Sequence, residues 1–194
     1  VLFDVCAEAL VNQPDARVID DVQRVAAGLH DGRFDGYSPR RALTQRYYDR
    51  VLVPSGPLFL PLFENSIMSA CETADGLEFG PVSGKRSDHV AGCYRAVGFD
   101  FTSLEGYPPA IRALHADSLA SECAFIAFLK DKEASCADED PATAHHLAGL
   151  ALDFAKEHVR PFSRTAAQIA SDTEADLYTA LIAFTAEAAS ALVG

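Results

Sequence analysis

The chain has 194 residues, 49% of them apolar, with 28 acidic residues against 16 basic for a formal net charge of -12. That length is about one domain by the usual allowance of roughly 150 residues, and the apolar fraction is enough for a full-sized core. The acidic balance repels phosphate backbones and anionic membrane surfaces and favours cationic partners, so neither nucleic-acid binding nor membrane insertion is expected.

The amino-terminal run from Val1 to Leu10 carries Asp4 and Glu8 without any basic stretch, so no export signal is expected there. Helical spacing begins with Val18, Val22, Val25, Ala26 and Leu29. Ser38 before Pro39 has the form of an N-cap followed by proline in the first turn, which predicts a helix start near 39. The apolar stretch 51–63 is interrupted by Pro54, Pro57 and Pro61, which exclude both a helix interior and a central strand. It is also far shorter than the ~20 apolar residues of a membrane span. A loop is predicted over 53–62, with an apolar surface that includes Phe59, Pro61 and Phe63. Strand alternation is almost absent, and loops are also predicted at 73–86, 103–109 and 131–140.

Val90, Cys93, Tyr94, Val97 and Phe101 form a second stripe. The segment Gly106-Tyr107-Pro108-Pro109 is the candidate hinge between helices of 1–102 and those of 110–194. A hinge there permits either a monomer or a domain-swapped homodimer. From Asp117 to Leu129 the chain is apolar on nearly all sides, which predicts the central helix of a bundle. Asp140 before Pro141 predicts a helix start at 141, and Ser171 with Glu174 reads as a capping box with a start near 172. Leu147, Leu150, Ala151, Phe154, Ala155, His158 and Phe162 make a third stripe, which Pro161 should kink or break after Val159 or Arg160. Leu177, Leu181, Phe184, Ala188 and Leu192 make a fourth. The expectation is an all-α fold, a single bundle-like domain of about eight helices with a hinge loop near 103–109.

Several apparent motifs carry no chemistry. Gly80 to Ser87 has three residues between its glycines where a phosphate loop has four, and Arg86 separates Lys85 from Ser87. His145 and His146 point about 100° apart on a helix and have no acidic or histidine partner four residues away, so no metal site is expected. The acidic run 138–140 lacks the alternating oxygens and glycine of a calcium loop. Ser87, Asp88 and His89 are consecutive, whereas catalytic triads converge from distant segments, and no catalytic residue is assigned. Asp117 and Glu122 sit about 140° apart on the expected helix, a poor arrangement for sharing a proton. Cys6, Cys71, Cys93, Cys123 and Cys136 are odd in number and contain no C-x-x-C, which fits reduced, mostly buried thiols of a cytoplasmic protein.

Tyr47-Tyr48-Asp49-Arg50-Val51-Leu52, followed by Pro54, Pro57, Pro61 and Phe63-Glu64-Asn65-Ser66, resembles the tyrosine helix, proline-rich loop and aromatic/Glu/Ser motif of the TorD/DmsD/NarJ family of redox-enzyme chaperones. Val90 to Phe99, Asp117 to Ile126, His146-Leu147 with Phe154, and Leu177 to Leu181 are similar to further motifs of that family, in the same order, over roughly 40–190. The departures are Ser118 where the family has histidine, Asn65 between Glu64 and Ser66, and the lack of any tryptophan.

The resemblance implies a cytoplasmic, all-helical chaperone without a cofactor of its own. Its partner would be the twin-arginine leader or amino-terminal tail of an apo-molybdoenzyme catalytic subunit, held until cofactor insertion and assembly precede export. By that analogy the leader's apolar part meets Phe59, Pro61 and Phe63, and its arginines meet Asp117, Glu64 and Glu122, with Tyr47, Ser66 and Ser118 completing the site. Charge-assisted hydrogen bonds of about 1.5–3 kcal/mol and apolar burial of ~1.5–3 kcal/mol per side chain give micromolar affinity once ordering costs are met. The residues leave other readings open. Phe59 and Phe63 could be core, with Asp117 capping the helix from Leu119. The chain could be a small-molecule-binding protein or hydrolase with an interior pocket near Asp117, His115 and Tyr107, or a structural subunit whose 51–63 surface is a permanent interface.

Overall fold

The computed structural model describes residues 1–74 and 76–194. The protein is all-α, with ten α-helices among the described residues and a single two-stranded hairpin. The amino-terminal half contributes α1 (Leu2–Val11), α2 (Ala16–Gly28), α3 (Arg41–Tyr47), α4 (Glu64–Met68) and α5 (Lys85–Val97). The remainder is α6 (Pro108–Arg112), α7 (Leu119–Cys136), α8 (Pro141–Phe154), α9 (Arg160–Ser171) and α10 (Leu177–Val193). The strands β1 (Cys71–Thr73) and β2 (Gly76–Glu78) pair antiparallel, Cys71 opposite Glu78, and both are exposed. The helix count exceeds eight because α4 and α6 are single-turn pieces that no periodicity could reveal. No described helix is long and apolar enough to cross a membrane.

The centre of the molecule is α7. Every residue from Leu119 to Ala127 is buried, and α1, α8 and the 155–159 turn pack against it. Because α1 packs on both α7 and α10, the first and last helices share one core. The 103–109 segment is fastened to that core. Tyr107 N–H donates to the Val11 carbonyl at 2.9 Å, and Gly106 lies so near that a Cβ there would meet Val11 O at 2.8 Å.

Helix boundaries follow local chemistry where that chemistry is decisive. Asp15 accepts from Val18 N–H, Asp140 accepts from Thr143 N–H with Pro141 in the first turn, and Gly98 ends α5 at φ 73°. Elsewhere the expectation needs correction. The helix near 39 starts at Arg41 without a side-chain cap, so Ser38 does not cap it. Ser171 and Glu174 form no capping box: α9 runs through Ser171, and α10 starts at Leu177 with Asp176 accepting from Tyr178 and Thr179 N–H. The predicted 131–140 loop is helical to Cys136, since charged side chains at an exposed helix end cost nothing in solvent.

Pro161 neither breaks nor ends its helix. The turn before it, 155–159, widens to a π-helix, and a second π-turn at 48–52 precedes Pro54. A proline has no N–H for the carbonyl four residues back and its ring crowds that carbonyl, so widening the preceding turn keeps the chain helical.

The loop after the first π-turn is held by Arg50. Its Nε donates to Asp176 Oδ2 at 2.7 Å, its Nη2 to the Glu174 carbonyl at 2.6 Å and its Nη1 to the Leu58 carbonyl at 3.2 Å. Arg50 and Asp176 are 3% and 7% exposed, so this ion pair sits out of water between the proline loop and the start of α10. We expect Asp176→Ala to destabilise the protein by about 3–5 kcal/mol, because it strands a buried guanidinium and removes the cap of α10, visible as a lowered urea midpoint. Arg50→Met should cost distinctly less than Asp176→Ala, since the cap survives.

Candidate functional site

The site is assembled where the end of the proline loop meets the start of α7. Phe63 and Ser118 form an isolated antiparallel bridge, flanked by Glu64 N–H to the Asp117 carbonyl at 2.7 Å and Leu119 N–H to the Leu62 carbonyl at 3.0 Å. The bridge brings the two sequence motifs together. Asp117 does not cap α7; Ser118 does, accepting from Ser121 N–H. Instead Asp117 Oδ2 accepts from Asn65 N–H at 3.0 Å, so it caps the short helix α4 from across the bridge.

Beneath the bridge lies a group of polar side chains without solvent contact. Glu64, Asp117, Glu122 and Ser121 are each 0% exposed, Ser66 is 1% and His158 is 2%. Glu64 accepts from Arg86 Nη1 at 2.9 Å and from His158 Nδ1 at 2.8 Å. Since a carboxylate only accepts, His158 donates from Nδ1 and presents its Nε2 lone pair. That lone pair faces His89 Nδ1 at 2.9 Å. The relay therefore runs Arg86, Glu64, His158, His89, from the part-exposed Arg86 through the buried Glu64 and His158 to the half-exposed His89 ring.

The other acids of the group are poorly matched. Both oxygens of Glu122, Asp117 Oδ1 and Ser66 Oγ have no hydrogen-bond partner among the described residues. Burial, with the nearby Glu64 and Asp117 carboxylates adding to it, pushes the Glu122 carboxyl well above its ordinary range. Burial likewise raises Asp117, partly offset by the Asn65 N–H it accepts. Burial raises Tyr94 as well, with Glu122 and Asp117 adding to the rise, and its hydroxyl donates to the Ala116 carbonyl at 2.8 Å.

The residues expected to bind a leader divide in two. Phe59 and Phe63 are half-buried and, with Leu62, Leu114 and Ser118, line a small apolar groove of about 60 Å³ bounded by α1 and α6. Pro61 is buried beside it. Tyr47, Glu64, Ser66, Asp117, Ser118 and Glu122 are inside the protein. Tyr47 donates to the Leu10 carbonyl at 3.1 Å and is a core residue. In this conformation none of the three acids presents itself to arginines: Glu64 and Asp117 tie the loop, α5 and the 155–159 turn together, and Glu122 is buried beside them.

The glycine-rich 80–84 segment serves packing. Gly80 N–H donates to the Ser66 carbonyl at 3.0 Å, and a Cβ on Gly84 would fall 2.5 Å from Asn65 Oδ1. Sequence reasoning missed Arg86, His89 and His158. The available signal was the i, i+4 spacing of His89 and Cys93 and a histidine on an apolar stripe. All five cysteines are free, and only Cys6 and Cys123 are fully buried.

No protein-family model matches the chain, and comparisons with curated proteins and with solved structures return no match.

The buried Glu122 predicts a specific pH dependence. With its folded value raised, the native state binds more protons than the unfolded chain between the ordinary glutamate range and the raised value. Its stabilising contribution is complete below the unfolded value and is lost as pH rises through that window. Glu64, Asp117, Arg86, Cys93, Tyr94, Cys123 and His158 all face it and are common to wild type and variant. Glu122→Gln should therefore match wild type near pH 4 and gain on it steadily toward neutrality, in urea titrations across pH. A gap that does not widen with pH would refute a buried, protonated Glu122.

Proposed function

We propose that the protein is a chaperone that captures the apolar part of a cationic leader or amino-terminal tail of an apo-molybdoenzyme, delaying assembly and export until its cofactor is in place. The observation that carries this reading is the groove. Arg50 and the Phe63–Ser118 bridge hold a proline-ordered loop so that Phe59 and Phe63 stay partly exposed over an apolar trough. A trough of about 60 Å³ takes the tip of one apolar side chain of an extended peptide, with further contact made on the Phe59 and Phe63 rim. The loop needs no ordering on binding because its prolines and Arg50 already fix it, which lowers the entropic cost of capture.

Charge supports the same partner. A chain with net charge -12 attracts a twin-arginine segment at long range, and such attraction weakens with salt. Glu64 and Asp117 are given a positioning role here, and the arginines are met by the surface field.

The test is calorimetric titration with a synthetic twin-arginine leader at two salt concentrations, beside a copy with both arginines changed to alanine. Binding that weakens with salt and is lost in the control supports the reading; no binding to any leader, or equal binding of both copies, counts against it. Phe59→Ala should weaken leader binding about tenfold, near 1.4 kcal/mol, in a variant whose far-ultraviolet circular dichroism matches wild type.

A further inference from the structure

On the other side of His158 from Glu64, a pocket of about 320 Å³ opens between α5 and α8, and it borders His89, Cys93, His158 and Glu157. His89 and Cys93 are four residues apart on α5 and so share one face. His158 reaches them from the π-turn. One ligand atom from each of the three lies within 4.8 Å of the others. We infer that His89, Cys93 and His158 form a binding site for a tetrahedral transition-metal ion of the Zn²⁺ class, with the fourth position open to the pocket.

Four observations converge on it. First, the donor set of two imidazole nitrogens and one thiolate selects Zn²⁺ over Ca²⁺ or Mg²⁺, which take oxygen. Second, metal-bound histidines are characteristically oriented by a carboxylate on the remote ring nitrogen, and Glu64 does this to His158, itself fixed by Arg86. Third, the facing ring nitrogens are 2.9 Å apart, against roughly 3.3 Å for two ligands of a tetrahedral zinc at ~2.05 Å bonds. A shift of a few tenths of an ångström by the half-exposed His89 closes that difference. Fourth, the pocket supplies the entry path, and Glu157 Oε1 stands 3.7 Å from His89 Nδ1, beside the open position.

Binding changes no oxidation state. Zn²⁺ takes lone pairs from His158 Nε2, His89 Nδ1 and Cys93 Sγ. His89 carries its proton on Nε2 instead, and the thiol proton of Cys93 leaves to water. A second donor trio, Glu64, Glu122 and His158, shares a residue with this one but is sealed on all sides, and Glu64 is already committed to Arg86 and His158.

The site stands independently of leader capture and is tested without it. The reduced, chelator-stripped protein is titrated with Co²⁺ and then with Zn²⁺. The expected result is one Co²⁺ per chain, with the intense visible bands of a tetrahedral site and a near-ultraviolet thiolate-to-cobalt band, both bleached by Zn²⁺. Cys93→Ser should abolish the thiolate band, and Glu64→Gln should weaken Co²⁺ binding about 10- to 100-fold through loss of His158 orientation. His89→Ala, at a half-exposed position where folding is not at stake, should weaken it further still, with the far-ultraviolet circular dichroism of the apo variant unchanged. Absence of a thiolate band in the wild type, or a band that persists in Cys93→Ser because the exposed Cys71 or another thiol supplies it, would overturn the assignment. So would unchanged affinity in His89→Ala.

Discussion

One buried carboxylate organises this protein. Glu64 has no solvent contact, and an isolated ion in its position would cost several kcal/mol. It is held because Arg86 enters from α5 and His158 from the π-turn, so three segments distant in sequence must be in place together for any one of them to be tolerated. Arg86 remains part-exposed, which leaves its own charge hydrated while it neutralises the acid. Glu64 links the apolar groove to the histidine pocket, because it follows Phe63 of the one and accepts from His158 of the other.

What could be read from sequence was whatever is local. Apolar periodicity located the long helices, Asp140 with Pro141 marked a start correctly, and the three prolines kept 53–62 out of regular structure. The failures are equally physical. Ser171 and Glu174 satisfy the capping pattern, yet Asp176 wins the helix start because its carboxylate also meets Arg50, a partner from far upstream. Asp117 sits next to the residue that caps α7 and was readable as that cap. Its actual recipient is the Asn65 N–H, which only the Phe63–Ser118 bridge brings within reach. His89 and His158 had no common signal, since the contact between them depends on the whole bundle being folded.

The motifs that resemble the TorD/DmsD/NarJ family divide on the same physical line. Their polar members, Tyr47, Glu64, Ser66, Asp117, Ser118 and Glu122, are interior and build the junction of loop and central helix. Their apolar members, Phe59 and Phe63, are the ones left near solvent. Ser118 acts as an N-cap, a task that a hydroxyl performs well.

The widened turn before Pro161 has a further consequence. Phe154, His158, Phe162, Ala166 and Ala170 are all buried and recur every fourth residue. On an ideal α-helix that repeat would drift by about 40° per step, carrying the later members out of the core. The π-turn absorbs much of the drift by taking more residues per turn. The interior position of the histidine is thus a matter of counting: chain length between 155 and 159 is constrained to the single residue. Losing one amino acid there would leave every side chain chemically intact and aim the histidine elsewhere, so an insertion or deletion in this turn would matter more than most substitutions around it.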